Sequence, residues 1–280
     1  MRKTLNIVGC GNVGQALGRL WARNGALVVQ DVLNRSLDSA TRAVSFIGAG
    51  RAVDNYTELR PADIYMIGTN DDQIVPCVEA LTRAGKITPG TILFHCSGAR
   101  PSSELKPVIG ADKFVASIHP IRSFASPAHV ADTFAGTYCG AEGDAEAIDV
   151  LSKGFSAIGA QIVPLNAAFK IIYHSAAVFA CNYLVTLLDV AQQAYVKAGV
   201  PEEVALRLME PLVKETVENV FRLGPSDALT GPIARGDVET VVKQYRAVGH
   251  WNQRFGALYK TLGKLTKNLA AKRSHKRVGT

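Results

Sequence analysis

The feature that most constrains this chain lies near its start, in Leu5-Asn6-Ile7-Val8-Gly9-Cys10-Gly11-Asn12-Val13-Gly14. Leu5 to Val8 reads as a short buried strand, and Gly9, Gly11 and Gly14 follow at G-x-G-x-x-G spacing. Val13, Ala16, Leu17, Leu20 and Trp21 then recur at helical spacing, so strand, tight turn and helix come in order. In such a unit Gly9 permits the turn, Gly11 admits a pyrophosphate close to the backbone, and Gly14 lets the helix pack on the strand. Asn12 and Val13 open the helix, where unpaired N–H groups and the positive dipole end attract phosphate. The spacing predicts a dinucleotide site.

The second strand, Ala26 to Leu33, selects the cofactor. An acid about 20 residues beyond the last glycine would bind the ribose of NAD. At that distance from Gly14 stand Asn34, Arg35 and Ser36, with no carboxylate to repel a 2′-phosphate and a guanidinium to hold one. NADP is the expected cofactor. Asp31 is the dissenting residue, and becomes the ribose acid if the strand ends early.

Strands and helices then alternate to about residue 165. Apolar runs at 62–68, 91–94, 114–118, 136–139 and 161–163 read as strands, with a helix at 145–158. The expected fold is α/β, a doubly wound, mostly parallel Rossmann-like sheet. Ligands of such sheets sit beyond the strands' carboxyl ends, which places Thr69, Asn70 and Ser97 at the cofactor and His119 at the same edge. Asp71 and Asp72 are expected to cap a helix that begins near Gln73. Beyond Ala167 the pattern is all helical, with one long apolar helix over 168–198, another from Pro201 to Leu223, and helices over 237–248 and 252–271. The expected domains are 1–165 and 166–280.

In the helical half, Lys170 and His174 lie four residues apart on one helix face, and Ala177 and Cys181 continue the stripe. A lysine inside an apolar helix needs a partner or a wet cleft. The competing reading is a snorkelling lysine and a satisfied core histidine. The loop Thr230-Gly231-Pro232-Ile233-Ala234-Arg235-Gly236-Asp237 makes a tight turn into a helix capped by Asp237, with Arg235 available for a substrate carboxylate or a cofactor phosphate.

Composition narrows the classes. Five scattered cysteines without a C-x-x-C pair argue against a disulfide framework or a zinc site and for a reducing cytoplasm, and no metal site is expected. Met1 to Thr4 run straight into the first strand, leaving no room for a signal peptide, and no uninterrupted apolar run reaches bilayer length. The net charge of +7 resides in seven basic residues from Lys260 to Arg277. These read as a solvated helix end rather than a nucleic-acid surface. Cys10 stands at a helix N-terminus, where a thiol pKa can fall, but it reads first as a small packing residue.

Taken together, the glycine turn, His95-Cys96-Ser97-Gly98, His119-Pro120, Lys170-x-x-Tyr173-His174 with Asn182, and Thr230-Gly231-Pro232-x-x-Arg235-Gly236-Asp237 carry a resemblance. Over Leu5 to Val248 the chain resembles bacterial proteins that join a Rossmann-like domain to the C-terminal domain of unknown function 2520. That family is similar to the group containing pyrroline-5-carboxylate reductase, ketopantoate reductase and 6-phosphogluconate dehydrogenase. The resemblance implies an NADP-binding oxidoreductase with a helical, dimerising second domain, and supplies no substrate. In the hydroxyacid-dehydrogenase branch of the wider group a lysine is followed four residues on by asparagine. Lys170 matches that lysine, and His174 stands in the asparagine's place.

The expected function is hydride transfer between NADP(H) and a small carbonyl, hydroxy acid or imine substrate. Lys170 or His174 would move the proton, His119 and Asn182 would orient the substrate, and Arg235 would bind an acidic group on it. The alternative is a nucleotide-binding sensor or assembly protein without turnover. A homodimer is expected, and neither a nucleic acid nor a membrane as partner.

Overall fold

A computed structural model describes residues 2–278, with side chains described as far as Arg273. The chain divides into two compact units, Met1–Ala180 and Cys181–Thr280. The division falls after the sequence-expected boundary because the stretch 167–177 is bonded to the sheet of the first unit.

In the first unit, β1 (Thr4–Val8), α1 (Asn12–Asn24), β2 (Val28–Leu33), α2 (Leu37–Ile47), β3 (Arg51–Val53), β4 (Ile64–Ile67), α3 (Ile74–Arg83) and β5 (Ile92–His95) come first. They are followed by α4 (Lys106–Ile109), β6 (Phe114–Pro120), α5 (Pro127–Thr133), β7 (Tyr138–Gly143), α6 (Ala145–Ser156), β8 (Gln161–Pro164) and α7 (Lys170–Ala177). The sheet order is β3-β2-β1-β4-β5-β6-β7-β8, parallel throughout except for the β6–β7 pair. Its first six strands have the order of a dinucleotide-binding sheet, with the order reversing between β1 and β4.

Alternation along each strand builds a core on both faces. Leu5, Ile7, Ile64, Met66, Ile92 and Phe94 face α1 and α6, whereas Val8, Tyr65, Ile67 and Leu93 face Val78 and Leu81 of α3. Trp21 anchors the first layer. Its ring meets Phe155 and Phe94 edge-on at 5.2 and 6.4 Å, and its Nε1 donates to the Gly154 carbonyl at 2.9 Å.

One polar cluster interrupts the core. The β1–β2 register slips between Leu5 and Asn6, and the Asn6 side chain repairs the gap by accepting the Asp31 N–H at 3.0 Å. Asp31, with no exposed surface, accepts from Arg60 at 2.7 Å and from Arg51 at 3.1 Å. These guanidinium hydrogen bonds hold its carboxyl below the usual range against the opposing effect of burial.

The second unit contains α8 (Tyr183–Lys197), α9 (Glu202–Leu223), short turns α10 (Pro225–Ala228) and α11 (Pro232–Arg235), α12 (Val238–Trp251) and α13 (Gln253–Val278). Asp237 caps α12, accepting the Thr240 N–H at 3.1 Å. The single helix expected over 168–198 is corrected. A short 3-10 turn over 167–169 precedes α7, and a π-helical turn, Val178–Asn182, separates α7 from α8. The expected continuous helix is thus interrupted by a π-helical turn that includes Cys181.

By length and composition alone Ala167–Lys197 is apolar enough to cross a membrane, with mean hydropathy 1.6, although Lys170, His174 and Asn182 interrupt the apolar run. Of the basic tail, the side chains of Lys276 and Arg277 lie outside the described residues.

Trp21→Ala should cost about 3–5 kcal/mol of stability, the range for emptying a large aromatic core site. Urea denaturation followed by circular dichroism checks this, and a loss under about 1 kcal/mol would show that Trp21 does not anchor the layer.

Candidate active site

The carboxyl ends of β1, β4, β5 and β6 deliver the glycine turn, Thr69, Ser97-Gly98 and His119 to one edge. At the turn, Gly9 has φ +78°, and a Cβ there would lie 2.2 Å from Thr69 Cγ2. Only glycine accommodates both the angle and the contact. A Cβ on Gly14 would stand 3.2 Å from Ile7 and from Cys10 Sγ, which is the close helix–strand packing that position demands. Gly11 differs, since nothing lies within 4 Å of where its Cβ would be. That open face sits at the α1 N-terminus, where no side chain caps the helix. The residues present therefore fit a pyrophosphate.

Around this turn the expected cofactor ligands take different roles. Asn34 Oδ1 accepts the Cys10 N–H at 2.6 Å and its Nδ2 donates to Ser39 at 3.1 Å, so Asn34 ties the turn to α2. Ser36 caps α2, accepting the Ser39 N–H. Asn12 donates to the Phe124 carbonyl at 2.8 Å and holds the loop after β6 against the turn. Arg35, exposed, is the residue of the 34–36 trio whose side chain makes no hydrogen bond or ion pair among the described residues. Asp31 is corrected from a candidate ribose acid to a buried partner of Arg51 and Arg60. Burial raises the Cys10 thiol to about 12, which removes the low-pKa reading and leaves the packing one.

Farther along the edge, Thr69 Oγ1 is buried with no hydrogen-bond partner among the described residues. Asn70 is exposed and precedes a 3-10 turn, Asp71–Gln73, without capping it. The expectation that Asp71 caps this helix is overturned, because its Oδ2 instead accepts from Ser97 Oγ at 2.8 Å. Ser97 Oγ also accepts the N–H groups of Ala99 (3.2 Å) and Arg100 (3.0 Å), fixing the loop after β5.

Lys170, Tyr173 and His174 occupy one face of α7, at i, i+3 and i+4. Lys170 is 1% exposed, its Nζ hydrogen-bonded to Ser117 Oγ on β6 and 3.2 Å from Glu142 Oε1 on β7. It opens α7 and so lies at the helix end that disfavours a cation, which makes the Glu142 carboxylate necessary. Glu142 is completed by Ser102, whose N–H and hydroxyl each donate at 2.8 Å. Burial lowers the Lys170 pKa from the usual lysine value, and Glu142 opposes the shift.

Tyr173 Oη lies 3.0 Å from His119 Nδ1, in a space that exists because Gly140 has no Cβ (one would fall 2.6 Å from that hydroxyl). His174 Nδ1 is buried without a partner, and a Cβ on Gly98 would fall 2.7 Å from it and 2.9 Å from His119 Cε1. Two imidazoles thus close on the Gly98 backbone. Burial, then the charges of His174 and Lys170, lower His119 to about 4. Burial and Lys170 take the neighbouring His95 to about 3.

Sequence reasoning missed Glu142, Ser117 and the Asp71–Ser97 contact. A lone carboxylate in the otherwise small and apolar strand Tyr138-Cys-Gly-Ala-Glu-Gly143 was the available signal for the first. Asn182 and Arg235 are exposed and belong to the second unit, apart from the geometry described for the first.

Lys170→Met leaves the Glu142 carboxylate buried without its cation and should cost about 3–5 kcal/mol, while Lys170→Met/Glu142→Gln recovers most of it. Chemical denaturation of the three proteins checks this, and equal stabilities would refute the pairing. A base with a lowered folded pKa binds fewer protons than the unfolded chain, so stability falls as pH drops below the unfolded value. His119 and His95 should therefore make the protein lose stability from about pH 6.5 down to about 4, and His95 further to about 3. Urea midpoints at pH 7.5 and 4.5 measure it, and an unchanged midpoint contradicts it.

Residues 1–120 match the Rossmann-like domain model and residues 137–266 the model of the domain of unknown function DUF2520. No curated protein matches the sequence. A Thermotoga maritima protein of known structure is 25% identical with TM-score 0.77, over 96% of this chain and 99% of its own. NADP-bound pyrroline carboxylate reductase from Plasmodium falciparum superposes with TM-score 0.59 at 14% identity, over 96% of this chain and 98% of that one. The imine reductase of Myxococcus stipitatus, in complex with NADP+, gives 0.60 at 16%, over 98% and 94%. The second family match starts at β7 and so includes Glu142 with Lys170, Tyr173 and His174. The chain joins a Rossmann-like domain to a DUF2520 domain.

Proposed function

We propose that this chain is an NADP(H)-dependent oxidoreductase acting on a small carbonyl, hydroxy acid or imine substrate. The observation that carries the reading is the pairing of an open Gly11 face with Arg35 at the end of β2, which has no bond among the described residues, while the strand's own carboxylate, Asp31, is buried. Asn12 and Val13 at the helix N-terminus would hold the pyrophosphate, Arg35 the 2′-phosphate, and Thr69 and Ser97-Gly98 the nicotinamide end. When bound, the nicotinamide supplies or accepts a hydride.

The protein's own contribution is charge placement. Lys170 is locked by Ser117 and Glu142 as a fixed positive charge beneath the edge, so His174, with Nδ1 unbonded beside Gly98, is the better proton-exchanging group. His119, hydrogen-bonded to Tyr173, orients the substrate from the opposite side of Gly98. Asn182 and Arg235 stay assigned to substrate binding as part of this reading. The NADP reductases of similar fold support it.

The buried Lys170–Glu142 pair also suits a non-catalytic nucleotide sensor. A cavity of about 620 Å³ bordering Lys170 favours turnover. The exposed Ile171 (64%), Ile172 (69%) and Val185 (68%) support pairing with a second copy of the chain, which light scattering would test: a dimer mass agrees and a monomer mass refutes it.

Nicotinamide fluorescence titrations should show NADPH bound well ahead of NADH. Arg35→Ala should cut NADPH affinity at least about tenfold with little effect on NADH. Gly11→Ala should leave stability unchanged and abolish binding of both. Preference for NADH in the unaltered protein would overturn the Arg35 assignment, and binding of neither would overturn the oxidoreductase reading.

A further inference from the structure

Tyr173 has no part in the chemistry proposed above, yet the fold makes room for it. It stands three residues after Lys170 on α7, half-buried, with Oη 3.0 Å from His119 Nδ1. Gly140, opposite His119 in the β6–β7 ladder, supplies the space. A Cβ there would fall 2.6 Å from the hydroxyl and 2.6 Å from Leu165 Cδ1. The phenol oxygen therefore lies against a strand backbone and a leucine, and among the described residues its hydrogen-bond partner is His119 Nδ1.

The direction of this hydrogen bond decides what His119 can do. A neutral imidazole has one N–H and one lone pair, on different nitrogens. With the proton on Nδ1, the Tyr173 oxygen would accept it, and the phenol hydrogen would face Leu165 and Gly140 with no acceptor, which is costly. With the lone pair on Nδ1, the hydroxyl donates to it and both groups are satisfied. Burial pushes the phenol up to about 12, so it keeps its hydrogen at neutral pH. Burial, His174 and Lys170 keep the ring neutral against the opposing charge of Asp71. The His119 proton then lies on Nε2. A Cβ on Gly98 would fall 3.0 Å from that nitrogen and 2.7 Å from His174 Nδ1, so the two rings border one gap over the Gly98 backbone.

We propose that Tyr173 is a positioning residue, which holds His119 in the tautomer with its hydrogen on Nε2 and so makes it a fixed donor beside Gly98. The ligand atom received there is a hydrogen-bond acceptor, and an ammonium group, which has donors alone, is turned away. His174, whose buried Nδ1 has no partner among the described residues, is left as the ring that exchanges protons. The two imidazoles thus divide the work, one donating and one titrating, and a phenol that touches no ligand assigns the parts. What the donor meets rests on the oxidoreductase reading; the tautomer does not.

The test is nitrogen–proton correlation NMR of the histidine rings in the full chain at pH 7.5, with the His119 signals assigned by their loss in His119→Gln. The unaltered protein should show a hydrogen-bonded, unprotonated Nδ1 and a protonated Nε2. Tyr173→Phe should move the Nδ1 signal towards that of an unbonded ring nitrogen and leave His95 unmoved, and Gly140→Ala, which displaces the hydroxyl, should do the same. A protonated Nδ1 in the unaltered protein, or an Nδ1 signal indifferent to Tyr173→Phe, would overturn the proposal. With NADP+ present, cyclohexanone, an acceptor, should shift the Nε2 signal more than cyclohexylammonium, a donor of similar shape. The reverse order, or no response to either, would overturn the donor role. The expected tautomer in a protein that binds no nicotinamide nucleotide would uphold the part given to Tyr173 and overturn the oxidoreductase reading, so the two failures are separable.

Discussion

The buried charge of Lys170 is the constraint on which the edge of the sheet depends. An ammonium that is 1% exposed at the first residue of a helix is tolerated only with a carboxylate within reach and its remaining donors satisfied. Glu142 on β7 and Ser117 on β6 meet that demand, and Ser102 completes Glu142. The network joins α7, β6, β7 and the turn that holds Ser102, and fixes the rotation of α7 about its axis. With Lys170 pointing into the sheet, Tyr173 must meet His119 and His174 must meet Gly98. The same charge helps keep His95 and His119 neutral. One ion pair thus sets the geometry of the candidate site, and Lys170 adds to the burial that lowers His119 and His95.

A second polar network lies within the sheet, where β1 and β2 meet the segments that carry Arg51 and Arg60. Asn6 fills the register slip between β1 and β2, and Asp31 gathers Arg51 and Arg60 from two later segments. Its outcome is functional as well as structural. In the proposed reading the strand's own carboxylate, Asp31, is buried away from a 2′-phosphate, and Arg35 at the strand's end has no bond among the described residues. Cofactor choice in this reading follows from how a buried acid is satisfied.

Local pattern carried most of the fold. The glycine turn, the short apolar runs of β1, β4 and β5, and the Trp21 face of α1 are all local signals, and the structure follows them. What escaped was long-range pairing. Asp71 looks like a helix cap because Asp-Asp before a helix usually is one, and only the folded chain brings Ser97 to it. Glu142 and Lys170 are 28 positions apart and each is anomalous alone, a lone acid in a small-residue strand and a lone base in an apolar helix. Treating two unexplained buried charges of opposite sign as partners would have found the pair. The π-helical turn at Val178–Asn182 has no comparable signal, since its residues read as ordinary helix.

The most direct test of this account is the crystal structure of the full chain with NADP+. The account predicts the pyrophosphate on the Gly11–Gly14 turn, the 2′-phosphate on Arg35, and the nicotinamide over Ser97-Gly98 with its reactive carbon toward His174. A nucleotide whose 2′-phosphate lies away from Arg35, or whose nicotinamide points away from Gly98, would contradict it.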